Sequence, residues 1–248
     1  MTETRTLVLI PARMAATRLP GKPLLDIAGL PMIVHVLRRA EQAGIGRVAV
    51  ATDSAEIAAA VRAQGGEVVM TRDDHPSGSD RIFEALTTLD PEGRIDTVIN
   101  LQGDLPTIDP LAIQRCLAGL TNETVDIATI AARIESDAEV QNPNVVKVIA
   151  PLGEGREVAY IRDFVRNTGP EHDAPFWRHI NVYAYRREAL DRFASLPVST
   201  REAIRKLEQL RALDNDMRMA VVRVDSVPLS VGVPADLEAA RAILRKKP

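Results

Sequence analysis

The feature that most constrains this chain is the alternation, through its first hundred residues, of short apolar runs with segments of helical period. Residues 6–10, 48–51, 67–70 and 97–101 read as buried strands. Between them, residues 31–43, 54–64 and 79–89 carry apolar side chains every three or four positions. In the first of these helices Ile33, Val34, Val36, Leu37 and Ala40 form the apolar stripe, and the second is capped by Ser54 or Asp53. Strands that alternate with helices of this length specify βαβ units on a mostly parallel sheet, with helices on both faces. In such a sheet a ligand is expected outside the carboxyl ends of the strands, near a reversal of strand order.

The second half is less regular. Residues 126–131, 145–149, 180–185 and 219–224 read as strands, residues 203–213 as a helix, and residues 234–244 as a closing helix with Pro234 in its first turn. Residues 151–176, rich in Gly, Pro and charge, are expected to form a lid-like loop. No repeat, low-complexity tract or composition shift divides the 248 residues, so a single domain (1–248) is expected, with a lid or dimerisation segment around 151–200.

Composition excludes several classes. A net charge of −3 is wrong for a general nucleic-acid or anionic-membrane binder. The single cysteine, Cys116, excludes an internal disulfide and a zinc-finger ligand set; on an amphipathic helix over residues 111–120 it reads as a buried structural thiol. No apolar run approaches the roughly 20 residues of a membrane span and no signal peptide opens the sequence, so a cytoplasmic location is expected.

Basic charge is concentrated where the first strand ends, in Pro11-Ala-Arg-Met-Ala-Ala-Thr-Arg-Leu-Pro-Gly-Lys-Pro23. Two arginines and a lysine among small residues suit a polyphosphate, because backbone N–H groups can approach closely while Arg13, Arg18 and Lys22 neutralise oxygens. Gly21-Lys22 resembles the end of a P-loop, but the full pattern is absent. An exposed basic loop without a ligand is the competing reading, and it is weakened by the loop's place after a strand. The fourth strand runs into Asn100-Leu-Gln-Gly-Asp-Leu-Pro106. Asp104 could cap the following helix near Asp109; facing the basic loop, it would instead hold Mg²⁺ together with substrate phosphates and water.

These motifs resemble the 3-deoxy-manno-octulosonate cytidylyltransferase family. The similarity continues through Pro31-Met-Ile-Val-His-Val36, Ala51-Thr-Asp53, Met70-Thr-Arg72, His75-Pro-Ser-Gly-Ser-Asp-Arg81, Asn142-Pro-Asn144, Arg178-His-Ile180 and Lys206-Leu-Glu-Gln-Leu-Arg211, almost the whole chain. The resemblance implies a Rossmann-like nucleotidyltransferase fold, Mg²⁺, a homodimer, and a part in lipopolysaccharide biosynthesis. It also implies attack by the anomeric hydroxyl of an acidic sugar on the α-phosphate of CTP, with pyrophosphate leaving. By that resemblance Arg13, Lys22 and Asp104 are catalytic, with Asp104 on the metal. Pro11, Ala12, Arg13, Arg18, Lys22, Arg72, Ser79 and Gln102 bind the nucleotide. His75, Gln102, His179, Tyr183, Glu208 and Gln209 bind the acceptor.

The chain departs from the family pattern in three places. Where the family ends G-V-D-T-P-x-D-L-E, with the first Asp the second metal-binding carboxylate, this chain reads Ser230-Val-Gly-Val-Pro-Ala-Asp-Leu-Glu238, with Gly232 at that position. Asp236 belongs to the helix start and is expected to cap it rather than to replace the missing ligand. The family's S-R-A-x-x-P segment is replaced by Tyr160-Ile-Arg-Asp-Phe-Val-Arg166, with Asp163 at the arginine position and Arg162 or Arg166 left to restore positive charge. Asn181 replaces a glycine. Three functions are therefore open at this point: a 3-deoxy-manno-octulosonate cytidylyltransferase, a divergent enzyme for another keto-sugar acid or a phosphonate, and a catalytically impaired nucleotide-binding relative.

Overall fold

A computed structural model describes residues 5–15, 18–153, 155–167 and 176–245. The chain divides into two compact units, residues 1–114 with 228–248, and residues 115–227.

The first unit opens on β1 (Thr6–Ala12), whose residues Leu7–Ile10 are wholly buried, followed by a 3-10 turn (Lys22–Leu24) and a two-residue hairpin, β2 (Asp26–Ile27) and β3 (Leu30–Pro31). Then come α1 (Met32–Ala43), β4 (Arg47–Thr52), α2 (Ala55–Arg62), β5 (Glu67–Met70), α3 (Gly78–Leu89), β6 (Thr97–Leu101) and α4 (Pro110–Ala118), within which the chain leaves the unit. Strands β5, β4, β1 and β6 lie in that order, every pairing parallel. The α1 and α2 connections move outward in one direction, and α3 returns across β4 and β1 to the other side. Because such crossovers are right-handed, α3 covers the face opposite α1 and α2. The strand order therefore reverses between β1 and β6, and their carboxyl ends frame the crevice expected of a doubly wound sheet.

Local chemistry sets the ends of these elements. Ser54 and Ser77 each accept an N–H from the first turn of the following helix, Ile57 and Asp80 respectively, and Gly44 ends α1 in the left-handed conformation. Of the two caps the sequence allowed for α2, Ser54 is the one used.

The second unit contains β7 (Ile127–Arg133), α5 (Asp137–Gln141), β8 (Lys147–Ile149), β9 (Val158–Tyr160), β10 (Asp163–Val165), β11 (Trp177–Arg186), α6 (Arg187–Ser195), α7 (Thr200–Arg205), α8 (Leu210–Asp214) and β12 (Met219–Val224). Its sheet is mixed: β12 runs parallel to β7, while β11 pairs antiparallel with β7 and β8, β10 with β8, and β9 with β12. Cys116 is fully buried, its thiol donating weakly to the Ala128 and Val182 carbonyls. Burial pushes its pKa far up, so the thiol is inert, as its place on an amphipathic helix suggests.

Two expectations are corrected here. The helix read over residues 203–213 is two helices, broken at Lys206, whose φ of 54° is left-handed. The loop read over residues 151–176 contains β9 and β10; the lid expected there falls partly on residues 168–175, which lie outside the described residues. From β12 the chain returns to the first unit and ends in α9 (Pro234–Arg245). There Leu237, Ala240 and Leu244 join Leu19, Ile27, Met32 and Val231 in one apolar cluster.

Candidate active site

The crevice between β1 and β6 opens into a cavity of about 330 Å³. Its floor comes from strand ends, Pro11 and Ala12 on β1 and Gln102 and Gly103 beyond β6. A Cβ on Gly103 would sit 3.0 Å from the Pro11 carbonyl oxygen and 3.2 Å from Ile33, so a side chain there would push the two strand ends apart. Gln102 is held by its own strand, donating from Nε2 to Asn100 Oδ1 at 3.0 Å.

The basic loop is anchored rather than free. Leu19 is buried in the α9 cluster, Lys22 N–H donates to the Leu19 carbonyl, and Gly21 takes a left-handed φ of 67° so that the chain can turn into Lys22–Leu24. This delivers the Lys22 ammonium to Asp104, 2.8 Å from Oδ2, and to the Val231 carbonyl at 3.1 Å. Asp104 thus meets the loop's lysine, while the helix-cap role falls to Asp109, which accepts the Leu111 N–H. Sequence reasoning missed Val231. Its contribution is a backbone carbonyl 209 residues from Lys22, and no side-chain pattern signals it.

Helix α3 supplies another wall. Ser77 and Gly78 line the cavity at its N-terminus, where N–H groups face an incoming anion. Arg81 also lines it, buried and fixed by Thr71 Oγ1 and by Asp53 at 3.0 Å. His75 lines it too, with Nε2 against the Glu84 carboxylate, which also accepts the Arg72 N–H. Burial raises the Glu84 pKa, but the His75 and Arg72 contacts outweigh it and hold the group below the usual carboxylate range. Glu84 had no sequence signal, being one acid on a helix face.

Among the described residues, four cationic side chains (Arg13, Arg18, Lys22 and Arg81) and one carboxylate, Asp104, line this cavity. The resulting field favours a polyanion. Gly232 lines it as well; its N–H and that of Val233 both donate to Asp236 Oδ2, at 2.9 and 3.0 Å, so Asp236 caps α9 as its position suggests.

Of the residues expected to bind nucleotide or metal, Pro11, Ala12, Arg13, Arg18, Lys22, Gln102 and Asp104 come together here, joined by His75 from the acceptor set. Arg72 and Ser79 are not in this lining. Arg72 is exposed and pairs with Asp74 and Glu84, and Ser79 is buried in the first turn of α3. His179, Tyr183, Glu208 and Gln209 belong to the second unit. There His179 packs edge-on against Phe164, shares a hydrogen bond with Thr129 Oγ1 at 3.0 Å, and lies 5.4 Å from the Tyr183 ring. Burial lowers the His179 pKa to about 3 and raises that of Tyr183, so both are neutral at pH 7. Gln209 is buried and Glu208 half-buried.

The replaced segment shows where its charges go. Asp163 pairs with Arg205 at 2.8 Å and Arg201 at 3.2 Å, and the Arg166 guanidinium is spent on the carbonyls of Pro143, Arg205 and Lys206.

A parallel sheet with a cationic, helix-capped crevice at its switch point, lined by one carboxylate among the described residues, makes this a Rossmann-like α/β protein with a crevice suited to a phosphate-bearing ligand. A family model described as cytidylyltransferase matches residues 7–219. The relative from Afipia carboxidovorans, a 3-deoxy-manno-octulosonate cytidylyltransferase, is 65% identical over all of both chains. The one from Nitrobacter hamburgensis, of the same name, is 64% identical over all of this chain and 96% of its own. A solved structure of CMP:2-keto-3-deoxy-manno-octonic acid synthetase complexed with CTP superposes with a TM-score of 0.89 at 38% identity, covering 98% of this chain and 99% of that one. The chain belongs to the 3-deoxy-manno-octulosonate cytidylyltransferase family of nucleotidyltransferases. Among the described residues no helix is long and apolar enough to cross a membrane.

Proposed function

We propose that this chain joins CTP and 3-deoxy-manno-octulosonate, giving the CMP-sugar and pyrophosphate. The anomeric oxygen forms a bond to the α-phosphorus as the bond to the bridging oxygen of the β-phosphate breaks, and the hydroxyl proton is lost. Such transfer depends on positioning and charge stabilisation more than on covalent help, so it requires no nucleophilic side chain. Arg13, Arg18 and Lys22 hold the triphosphate oxygens, and the N-terminus of α3 adds N–H donors. Gln102 and the stretch from Ser77 to Arg81 frame the base and its sugar, with Arg81 held rigid by Asp53 and Thr71. The acceptor reading rests on His179, Tyr183, Glu208 and Gln209, of which the first three are neighbours. Homodimer assembly and a cytoplasmic location complete the proposal.

The donor set fits Mg²⁺, which is commonly bound by one or two carboxylates with substrate phosphates and water filling the octahedron. Asp104 is the carboxylate that would hold it, and among the described residues no cluster of three acids or histidines offers a cage. When bound, the ion would neutralise charge building on the phosphate oxygens. Lys22, already against Asp104 Oδ2, keeps that carboxylate aimed into the cavity.

The observation that carries the proposal is the Lys22–Asp104 pair inside a cationic cavity at the β1/β6 switch point. Pyrophosphate release from CTP is the test, with 3-deoxy-manno-octulosonate, other keto-sugar acids and a phosphonate as acceptors. Turnover with the first and a KM for CTP raised at least tenfold by Lys22→Ala, with the acceptor KM little changed, is expected. Turnover with another acid alone, or equal losses for both substrates, would refute it.

A further inference from the structure

Lys147 is a fully buried lysine at the middle of a three-strand ribbon, opposite Val165 of β10 on one side and Arg178 of β11 on the other. An apolar residue would fill such a position at far less cost, because an ammonium loses its hydration there. Among the described residues no ion pair joins it to an acid. Its hydrogen bonds go to two backbone carbonyls, Asn142 and Arg166, both at 2.7 Å. Desolvation lowers its pKa, and the Glu139 carboxylate offsets only part of that.

What this tether holds is informative. Arg166, gripped through its carbonyl, turns its own guanidinium onto the carbonyls of Arg205, Lys206 and Pro143. Those of Arg205 and Lys206 are the free carbonyls at the end of α7, where the chain takes its left-handed step into Leu207, Glu208 and Gln209. From the other side Arg211 pairs with buried Glu202, which also closes the capping box at the start of α7. The break between α7 and α8 is therefore held from both sides.

We infer that Lys147 is a positioning residue for the acceptor. Through Arg166 it fixes the α7–α8 break and so the placement of Glu208 and Gln209. The inference rests on the reading above that Glu208 and Gln209 contact the sugar acid.

The test is steady-state pyrophosphate release with CTP and 3-deoxy-manno-octulosonate varied separately, using Lys147→Met, Arg166→Ala and Glu208→Gln. Methionine keeps the length of the side chain and removes the charge. Lys147→Met is expected to raise the acceptor KM at least tenfold with the KM for CTP changed less than twofold. Arg166→Ala should do the same, and the double variant should be no worse than the worse single one, since both act through one device. A folded Lys147→Met enzyme with unchanged acceptor KM, or with both KM values raised together, would overturn the inference. If Lys147→Met does not fold, Arg166→Ala decides by the same criteria. Should Glu208→Gln raise the acceptor KM while Lys147→Met does not, the positioning role alone is lost. If neither moves it, the acceptor reading itself fails.

Discussion

Gly232 offers a direct test of the proposed metal site at Asp104. A Cβ at this position would lie 3.6 Å from Asp236 Oδ2 and 3.8 Å from the Arg18 guanidinium, ordinary contact distances, and the backbone is outside the left-handed region. Gly232→Asp can therefore be built without strain. The new carboxylate meets one like charge, at Asp236, and one opposite charge, at Arg18, so folding stability should change by less than about 1 kcal/mol. Its carboxylate would enter the same cavity as Asp104, whose carbonyl accepts the Val231 N–H at 2.9 Å. A divalent cation and a carboxylate about 4 Å apart interact by about 8 kcal/mol at an effective dielectric near 20. Water in this open cavity screens part of that, and we take about 1.4 kcal/mol, a factor of about ten in affinity. The initial rate of pyrophosphate release, titrated with Mg²⁺ at saturating substrates, should then reach half-maximum at about one tenth of the wild-type concentration. An unchanged midpoint in a folded variant would show that position 232 does not face the metal.

Two further outcomes follow from buried groups. The His179 pKa is depressed to about 3 in the folded chain, against about 6.5 unfolded. Between those values the unfolded state binds the extra proton, so stability is full above pH 6.5 and falls as pH drops toward 3, at up to about 1.4 kcal/mol per pH unit. Urea unfolding of His179→Gln at pH 4.5–7.5 should show a shallower acid loss than wild type, and identical slopes would count against a buried neutral imidazole. Arg211→Met should cost about 3–5 kcal/mol in the same assay, because it strands the buried Glu202 carboxylate. A loss under 1 kcal/mol would mean that Glu202 finds water or another donor.

The first unit was legible because its signals are local. Leu7–Ile10 is an unbroken apolar run, β6 is apolar but for Asn100, Ser54 announces its helix, and a basic loop directly after a strand can face little but the crevice. The break at Lys206 was hidden because Ala203, Leu207, Leu210 and Leu213 keep helical spacing across it. What stops the helix is Arg166, forty residues away, taking its terminal carbonyls. Strands β9 and β10 are three residues each, too short for a period of two to stand out among Gly, Pro and charge. The division between the two units falls inside an amphipathic helix, where no change of composition could mark it. The site's missing parts were of the same kind: Val231 contributes a carbonyl, and Glu84 acts through His75.

The Val231 carbonyl that receives Lys22 lies past all of β7 to β12. During synthesis the basic loop and Asp104 leave the ribosome first, and the loop between β12 and α9 that completes their cavity follows more than a hundred residues later. At typical elongation rates of about 5–20 residues per second, that interval lasts on the order of ten seconds. The nascent chain therefore spends this time without a finished cavity, and a ligand of that cavity can favour the native state only once the last segment has docked.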